Sequence, residues 1–205
     1  MIPITVGPDG KEKTYQVYRG LLCHFSAYFD RLLNGPFKEG GSTSLRLQDV
    51  PTWKFQIFYD WLNTGILDFT AGKTPVSVRL ISVRIVAAYV FADFHLMHAF
   101  QNALLDHFYT NYNNTHKLFT SIIPMLYIST TDGDTMRRLL VDMWVEGCGA
   151  HLTKVELRVL WPEFVVDCFL LCKRHGYRLD VARTGDIFPL NFCKKYHRHD
   201  SKVSA

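Results

Sequence analysis

Near the C-terminal end, Cys168, Cys172, His175, Cys193 and His197 are of the residue types that ligate zinc. Cys168 and Cys172 lie four apart within FVVDCFLLC, an apolar helical stripe in which cysteine usually serves as a small hydrophobe. No paired short-loop knuckle accompanies them, so no metal and no cofactor is expected. Gly72-Lys73-Thr74 reproduces the last three residues of a phosphate-binding loop, but position 67, where that loop needs its first glycine, is Leu. Cys23 and His24 are neighbours that point apart on a helix, so they form no thiol–base dyad. With no nucleophile elbow and no supported carboxylate pair, the chain reads as a non-enzyme without catalytic residues.

The elements around these residues are set by bulk composition. The chain has 205 residues, 48% hydrophobic and 14% aromatic, enough for one core or for a core domain with a smaller helical companion. The net charge of +4 is modest, and CKKYHRHDSK supplies much of it, which argues against a nucleic-acid-binding face. In that tail Lys194, Lys195, Arg198 and Lys202, with His197 and His199, read as a solvated terminus. Arg137-Arg138 and Lys173-Arg174 read as solvated helix positions and helix-end charges. The first residues lack the basic and long apolar regions of a signal peptide, and the apolar run 83–94 is interrupted by Arg84 and Asp93. Five cysteines, an odd count without framework spacing, fit reduced thiols. A soluble cytoplasmic or nuclear protein that does not enter membranes is the expectation; Asn113-Asn114-Thr115 fits a glycosylation sequon but carries no weight without secretion.

Along the chain, residues 3–6 and 13–19 are β-type runs around GPDGKE and form a hairpin. Leu21, Leu22, Phe25, Phe29, Leu32 and Leu33 recur at helical spacing in a segment that ends at Asn34-Gly35. Residues 44–47 make a short strand. Asp49 is an N-cap candidate for the helix TWKFQIFYDWLNTG, which stops at Gly65 and carries too many apolar residues for one face, so it should be sandwiched. A brief strand over 66–69 and helices over 76–94 and 96–109, meeting near His95, follow. The polar break TNYNNTH closes the first domain, 1–112. A helical extension, 113–179, contains a helix over 117–128, one over 135–146 capped by Asp134, and two flanking Trp161-Pro162 that end at Gly176. A basic, partly irregular tail, 180–205, packs only where 187–192 allows, and there is no internal repeat.

NGPFKEGG, residues 34–41, places Phe37 and Glu39 on a loop. Phe37 either tucks back beneath its own loop or faces outward as an apolar anchor beside a charged one.

This order of elements resembles the BTB/POZ domain. KTYQVYRGLLCHFSAYFDRLL is similar to the family signature, an apolar and a basic residue before Leu-Leu and then Ser-x-x-Phe, here Ser26 to Phe29. LRLQDVPTWKFQIFYDWLNTG is similar to its strand, Asp, helix and Trp-Leu-x-Thr-Gly ending, and AAYVFADFHLMHAFQNAL to its Tyr-Val-x-Ala-Asp helix with the following Asn-Ala. The three motifs run in register over residues 4–112 and are nearest in flavour to the short BTB proteins of filamentous fungi, whose C-terminal half is also helical and carries a segment like RRLLVD. Tyr18 stands where the family commonly has His, and Asn63 where it has Tyr.

The resemblance implies an α+β fold, a small β-sheet packed with a helical cluster, followed by an all-helical extension. It implies a non-catalytic protein–protein interaction module, a scaffold or substrate adaptor for a cullin-type ubiquitin ligase. In such adaptors a hydrophobic-x-Glu element in the corresponding loop contacts the cullin, and Phe37, Lys38 and Glu39 occupy that place. The alternative is a BTB self-association unit of a nuclear or transcriptional regulator. A homodimer is among the expected partners, although the chain opens inside the first strand, without the leading element that reinforces the dimer in many members.

Overall fold

Pro8-Asp9-Gly10 turns the chain between β1 (Ile2–Val6) and β2 (Lys13–Val17), which pair antiparallel with Ile4 opposite Tyr15. Gly7, at the turn's entry, has φ +109°, and a Cβ there would meet the Lys11 carbonyl oxygen at 2.9 Å, so only glycine fits. The computed structural model describes residues 1–36, 43–69, 76–145, 160–176 and 192–199. Two units divide the chain, one comprising Met1–Phe108 with the segment from Arg198 onward, the other Tyr109–His197. The fold is α+β, as the sequence implied: one three-stranded sheet and, among the described residues, nine helices.

In the first unit β3 (Leu45–Leu47) lies parallel to β1 on its other edge, giving the order β2-β1-β3. Period-two alternation turns Ile2, Ile4, Val6, Tyr15, Val17 and Leu45 inward, and all are buried. The apolar stripe predicted as one helical segment is two helices, α1 (Arg19–Phe25) and α2 (Ala27–Asn34), broken at Ser26 in extended conformation. The break frees the Ser26 hydroxyl to cap α2, accepting the Phe29 N–H at 3.1 Å.

The helix α3 (Thr52–Thr64) ends on Gly65 at φ +72°, as predicted, but Asp49 does not cap it. Pro51 holds the N-cap position, and no side chain bonds the first turn. The apolar load of α3 is explained by its neighbours. Phe55 meets Tyr15 of the sheet at 4.9 Å between ring centres, while Phe58 meets Phe91 at 6.0 Å and Phe100 at 5.3 Å. Residues 66–69 are irregular rather than a strand, because the Phe69 carbonyl accepts from the Arg84 guanidinium at 2.8 Å instead of from a neighbouring strand.

Next come α4 (Val78–Phe94), capped by Ser77, and α5 (His98–Thr115). Polar contacts tie their junction to the start of α2. The Ser26 hydroxyl donates to the His95 carbonyl at 2.7 Å, and the Ala27 N–H reaches the Leu96 carbonyl at 3.4 Å. Leu96 itself sits at φ +52°, an unfavourable region for leucine. The His95 ring approaches the Phe91 carbonyl with Nδ1 at 2.8 Å and stacks on Phe29 at 5.3 Å. Ser26 and His95 are both buried, so an unpaired His95 carbonyl would cost roughly 1–3 kcal/mol.

In the second unit, the polar TNYNNTH that reads as a break is largely the end of α5, where the Thr115 hydroxyl donates to the Asn111 carbonyl at 2.7 Å. There follow α6 (Ile122–Ser129), α7 (Thr135–Met143), α8 (Pro162–His175) and α9 (Phe192–Tyr196). Asp134 caps α7 as predicted, accepting from the N–H groups of Met136 and Arg137 at 2.8 and 3.2 Å. Gly176, at φ +64°, ends α8. Phe164 of α8 is fully buried, edge-on to Tyr127 and Trp144. The helix expected before Trp161 and most of the tail lie outside the described residues. No helix among the described residues is long and apolar enough to cross a membrane.

The His95 environment yields a pH dependence. Burial lowers its pKa from the ordinary 6.5; the Phe91 carbonyl opposes this and the Lys54 charge adds to it. A depressed folded-state pKa means that the unfolded chain binds the proton more readily, so the stabilising contribution is complete above about 6.5 and is lost as pH falls. Urea unfolding at stepped pH values is expected to show stability declining below that point, with a shallower decline in His95→Gln.

Candidate functional site

The loop that carries Phe37, Lys38 and Glu39 leaves the end of α2 and returns to β3. Those three residues lie outside the described residues, but the loop's root is defined. The last carbonyls of a helix lack intrahelical donors. Here Arg19, at the start of α1, supplies one: its Nη2 donates to the Leu33 carbonyl at 2.7 Å and to Asn34 Oδ1 at 2.8 Å. The Asn34 amide in turn donates to Asp30 Oδ1 at 2.8 Å and toward the Cys23 sulfur at 3.6 Å. The chain therefore enters the loop from a helix end tied on two sides. Arg19 is the basic residue of the first motif, and its role is to fix that end.

Cys23 belongs to the same cluster. Burial, with the Asp30 charge second, pushes its thiol above the ordinary range, the opposite of what an activated nucleophile needs. Gly72-Lys73-Thr74 lie outside the described residues.

The second unit offers a cleft of about 380 Å³ whose lining includes Arg137, Arg138, Asp142, Asp167, Arg174 and Lys195. Arg137, read from sequence as a solvated helix position, is buried. Its guanidinium lies 4.3 Å from the centre of the Tyr127 ring. It donates to the Tyr127 carbonyl at 2.7 Å, to Thr130 Oγ1 at 2.8 Å and to the Thr130 carbonyl, and pairs with Asp132 at 3.1 Å. Arg137 thus collects the open carbonyls at the end of α6 and binds α6 to α7. Across the cleft Tyr127 donates its hydroxyl to Asp167 at 2.7 Å, and burial followed by this bond raises the phenol's pKa. Asp142 accepts from Tyr196 at 2.6 Å and from Lys195 at 3.0 Å, so Lys195 is a docking contact rather than part of a solvated tail. Beside these pairs, α8 exposes Val165, Val166, Phe169 and Leu170.

Of the five zinc-type residues, Cys168 and Cys172 are buried in α8, and burial, with the Cys172 thiol next, raises the Cys168 pKa. The His175 side chain lies outside the described residues. Cys193 and His197 lie one helical turn apart at the end of α9, where the His197 N–H donates to the Cys193 carbonyl at 2.9 Å.

A scan of the chain against protein-family models finds no match, and neither does a search of curated proteins.

The buried and exposed arginines of α7 should separate cleanly. Arg137→Met is expected to destabilise the second unit by roughly 2–4 kcal/mol, because buried carbonyls lose their donor. Arg138→Met, at an exposed position, should stay within about 0.5 kcal/mol of the parent. Native-state hydrogen exchange of α6 and α7 reads both.

Proposed function

We propose that the chain is a non-catalytic interaction module in which a BTB/POZ-type first unit presents Phe37, Lys38 and Glu39 to a cullin scaffold, as a ubiquitin-ligase adaptor does. The observation that carries this reading is how the three quoted motifs meet. The first forms β2, α1 and α2, the second β3 and α3, and the third α4 and the start of α5. Residues of the three segments touch: the Ser26 hydroxyl on the His95 carbonyl, Phe29 on the His95 ring, Trp61 on Phe100. The order β2-β1-β3, with β1 parallel to β3, fits a BTB-type sheet closed by helices.

In this reading Phe37 fills an apolar pocket on the partner and Glu39 makes a directed polar contact, a division of labour that gives specificity on a small surface. Arg19 supports it by fixing the helix end from which the loop departs. The second unit recruits a target, and the exposed apolar residues of α8 are of the kind that mark interaction surfaces.

A binding titration of the purified chain against a cullin N-terminal domain tests the proposal, with Phe37→Ala and Glu39→Ala proteins of unchanged circular dichroism in parallel. Binding by the parent is expected, weakened by about 2–4 kcal/mol in Phe37→Ala, as for a buried anchor. A parent that fails to bind, or a Phe37→Ala protein that binds equally well, excludes the adaptor role.

A further inference from the structure

We propose that the groove between α7 and α8 docks a peptide segment of a partner protein, one in which apolar side chains are flanked by acidic residues at one end and a basic residue at the other. This rests on the reading that the second unit recruits a target, and it names the chemistry of that target. Phe164, Cys168 and Cys172, each four residues apart, turn one face of α8 into the unit's core. Val165, Val166, Phe169 and Leu170 repeat at the same spacing on the opposite face and stay exposed, Leu170 by 50%. Leu170 also lines the cleft of about 380 Å³, where it faces Arg138 and Val141 of α7 and Arg174 of its own helix. A second hollow of about 460 Å³ is lined by Asp132, Glu163 and Val166. The two share Asp167 and Leu170, so they follow one another along α8 from Pro162 to Arg174, roughly 18 Å at the helical rise per residue. That length suits an extended segment of several residues rather than a single small molecule.

Charge selects the occupant and its direction. At the C-terminal end of α8 the lining holds Arg137, Arg138, Arg174 and Lys195 against Asp142 and Asp167, an excess of positive charge. Arg137 is committed to the carbonyls of α6 and to Asp132, and Lys195 to Asp142. Arg138 and Arg174 are exposed; Arg138 reaches Thr135 Oγ1 at 3.4 Å, at the long limit of such a bond, and Arg174 has no ion-pair or hydrogen-bond partner among the described residues. These two guanidinium groups are open to carboxylates, which they match with paired donors. The opposite end is acidic, with Asp132 and Glu163 exposed, and favours a lysine or arginine of the partner. Between the ends, Val166 and Leu170 are the surface that apolar side chains would cover. A nucleic-acid backbone fits poorly, because Asp142 and Asp167 repel phosphates and Leu170 offers them no donor.

A library of random dodecapeptides displayed on phage is panned on the full chain. An enriched peptide is then titrated by fluorescence anisotropy against the parent and against Leu170→Asp, Arg138→Ala/Arg174→Ala and Phe37→Ala proteins of unchanged circular dichroism. The expected result is enrichment of sequences with Asp or Glu on one side of apolar residues and Lys or Arg on the other. Binding should weaken at least about tenfold in Leu170→Asp and in the double arginine variant, weaken with added salt, and stay unchanged in Phe37→Ala. Enrichment of no such sequence overturns the proposal. So does a peptide that binds the Leu170 and arginine variants as well as it binds the parent, or one that binds equally after its acidic and basic residues are exchanged. A parent that binds the cullin domain but enriches no such peptide overturns this inference alone, and one that enriches them but binds no cullin overturns the adaptor role alone.

Discussion

The hydrogen bond from Ser26 to the His95 carbonyl is the constraint on which the first unit depends. One hydroxyl performs two tasks, capping α2 and satisfying the turn between α4 and α5, and both partners are buried. The turn needs that support, because Leu96 is held at a positive φ that costs about 1 kcal/mol or more. His95 adds a flat ring between Phe29 and Phe91, which links the α1–α2 pair to the aromatic layer around α3. Geometry then passes outward: a fixed α2 brings its C-terminal carbonyls within reach of Arg19, and Arg19 sets the direction in which the chain enters the loop.

The described helices of the second unit are joined by polar contacts at their ends. Arg137 gathers the carbonyls that α6 leaves open, Tyr127 binds Asp167, and Asp142 receives Tyr196 and Lys195. Such bonds add little net stability compared with apolar packing, but a buried group left without its partner penalises a misplaced helix heavily. Around these pairs the apolar core of Phe164, Tyr127 and Trp144 supplies the driving force.

Much of the fold was legible in the sequence because local chemistry dictated it. Pro8-Asp9-Gly10 made the hairpin, Gly65 and Gly176 stopped their helices in the left-handed conformation, and Asp134 capped α7. What escaped was decided by tertiary contacts. Helical spacing runs unchanged through Ser26, so the break there is visible only once His95 is beside it. Residues 66–69 have strand composition, but Arg84 takes the Phe69 carbonyl. Arg137 looks like Arg138 in sequence, and only the open end of α6 distinguishes the buried one. Cys193 and His197 were singled out by type, and the turn that sets them one above the other at the end of α9 is visible only in the structure. Phe37 and Glu39 stood out as an aromatic and a charge on a Gly-Pro loop, the family resemblance added Lys38 and a cullin contact, and the three lie outside the described residues, where only the helix end before them is defined.

The central proposal is that the loop carrying Phe37 docks on a cullin scaffold. Replacing Phe37 with a photo-crosslinking phenylalanine analogue in the full chain, and irradiating it with a cullin N-terminal domain present, tests that directly. The account predicts an adduct between the two proteins, mapped by mass spectrometry to the cullin. Adducts confined to this chain's own first unit would contradict it and return Phe37 to the core.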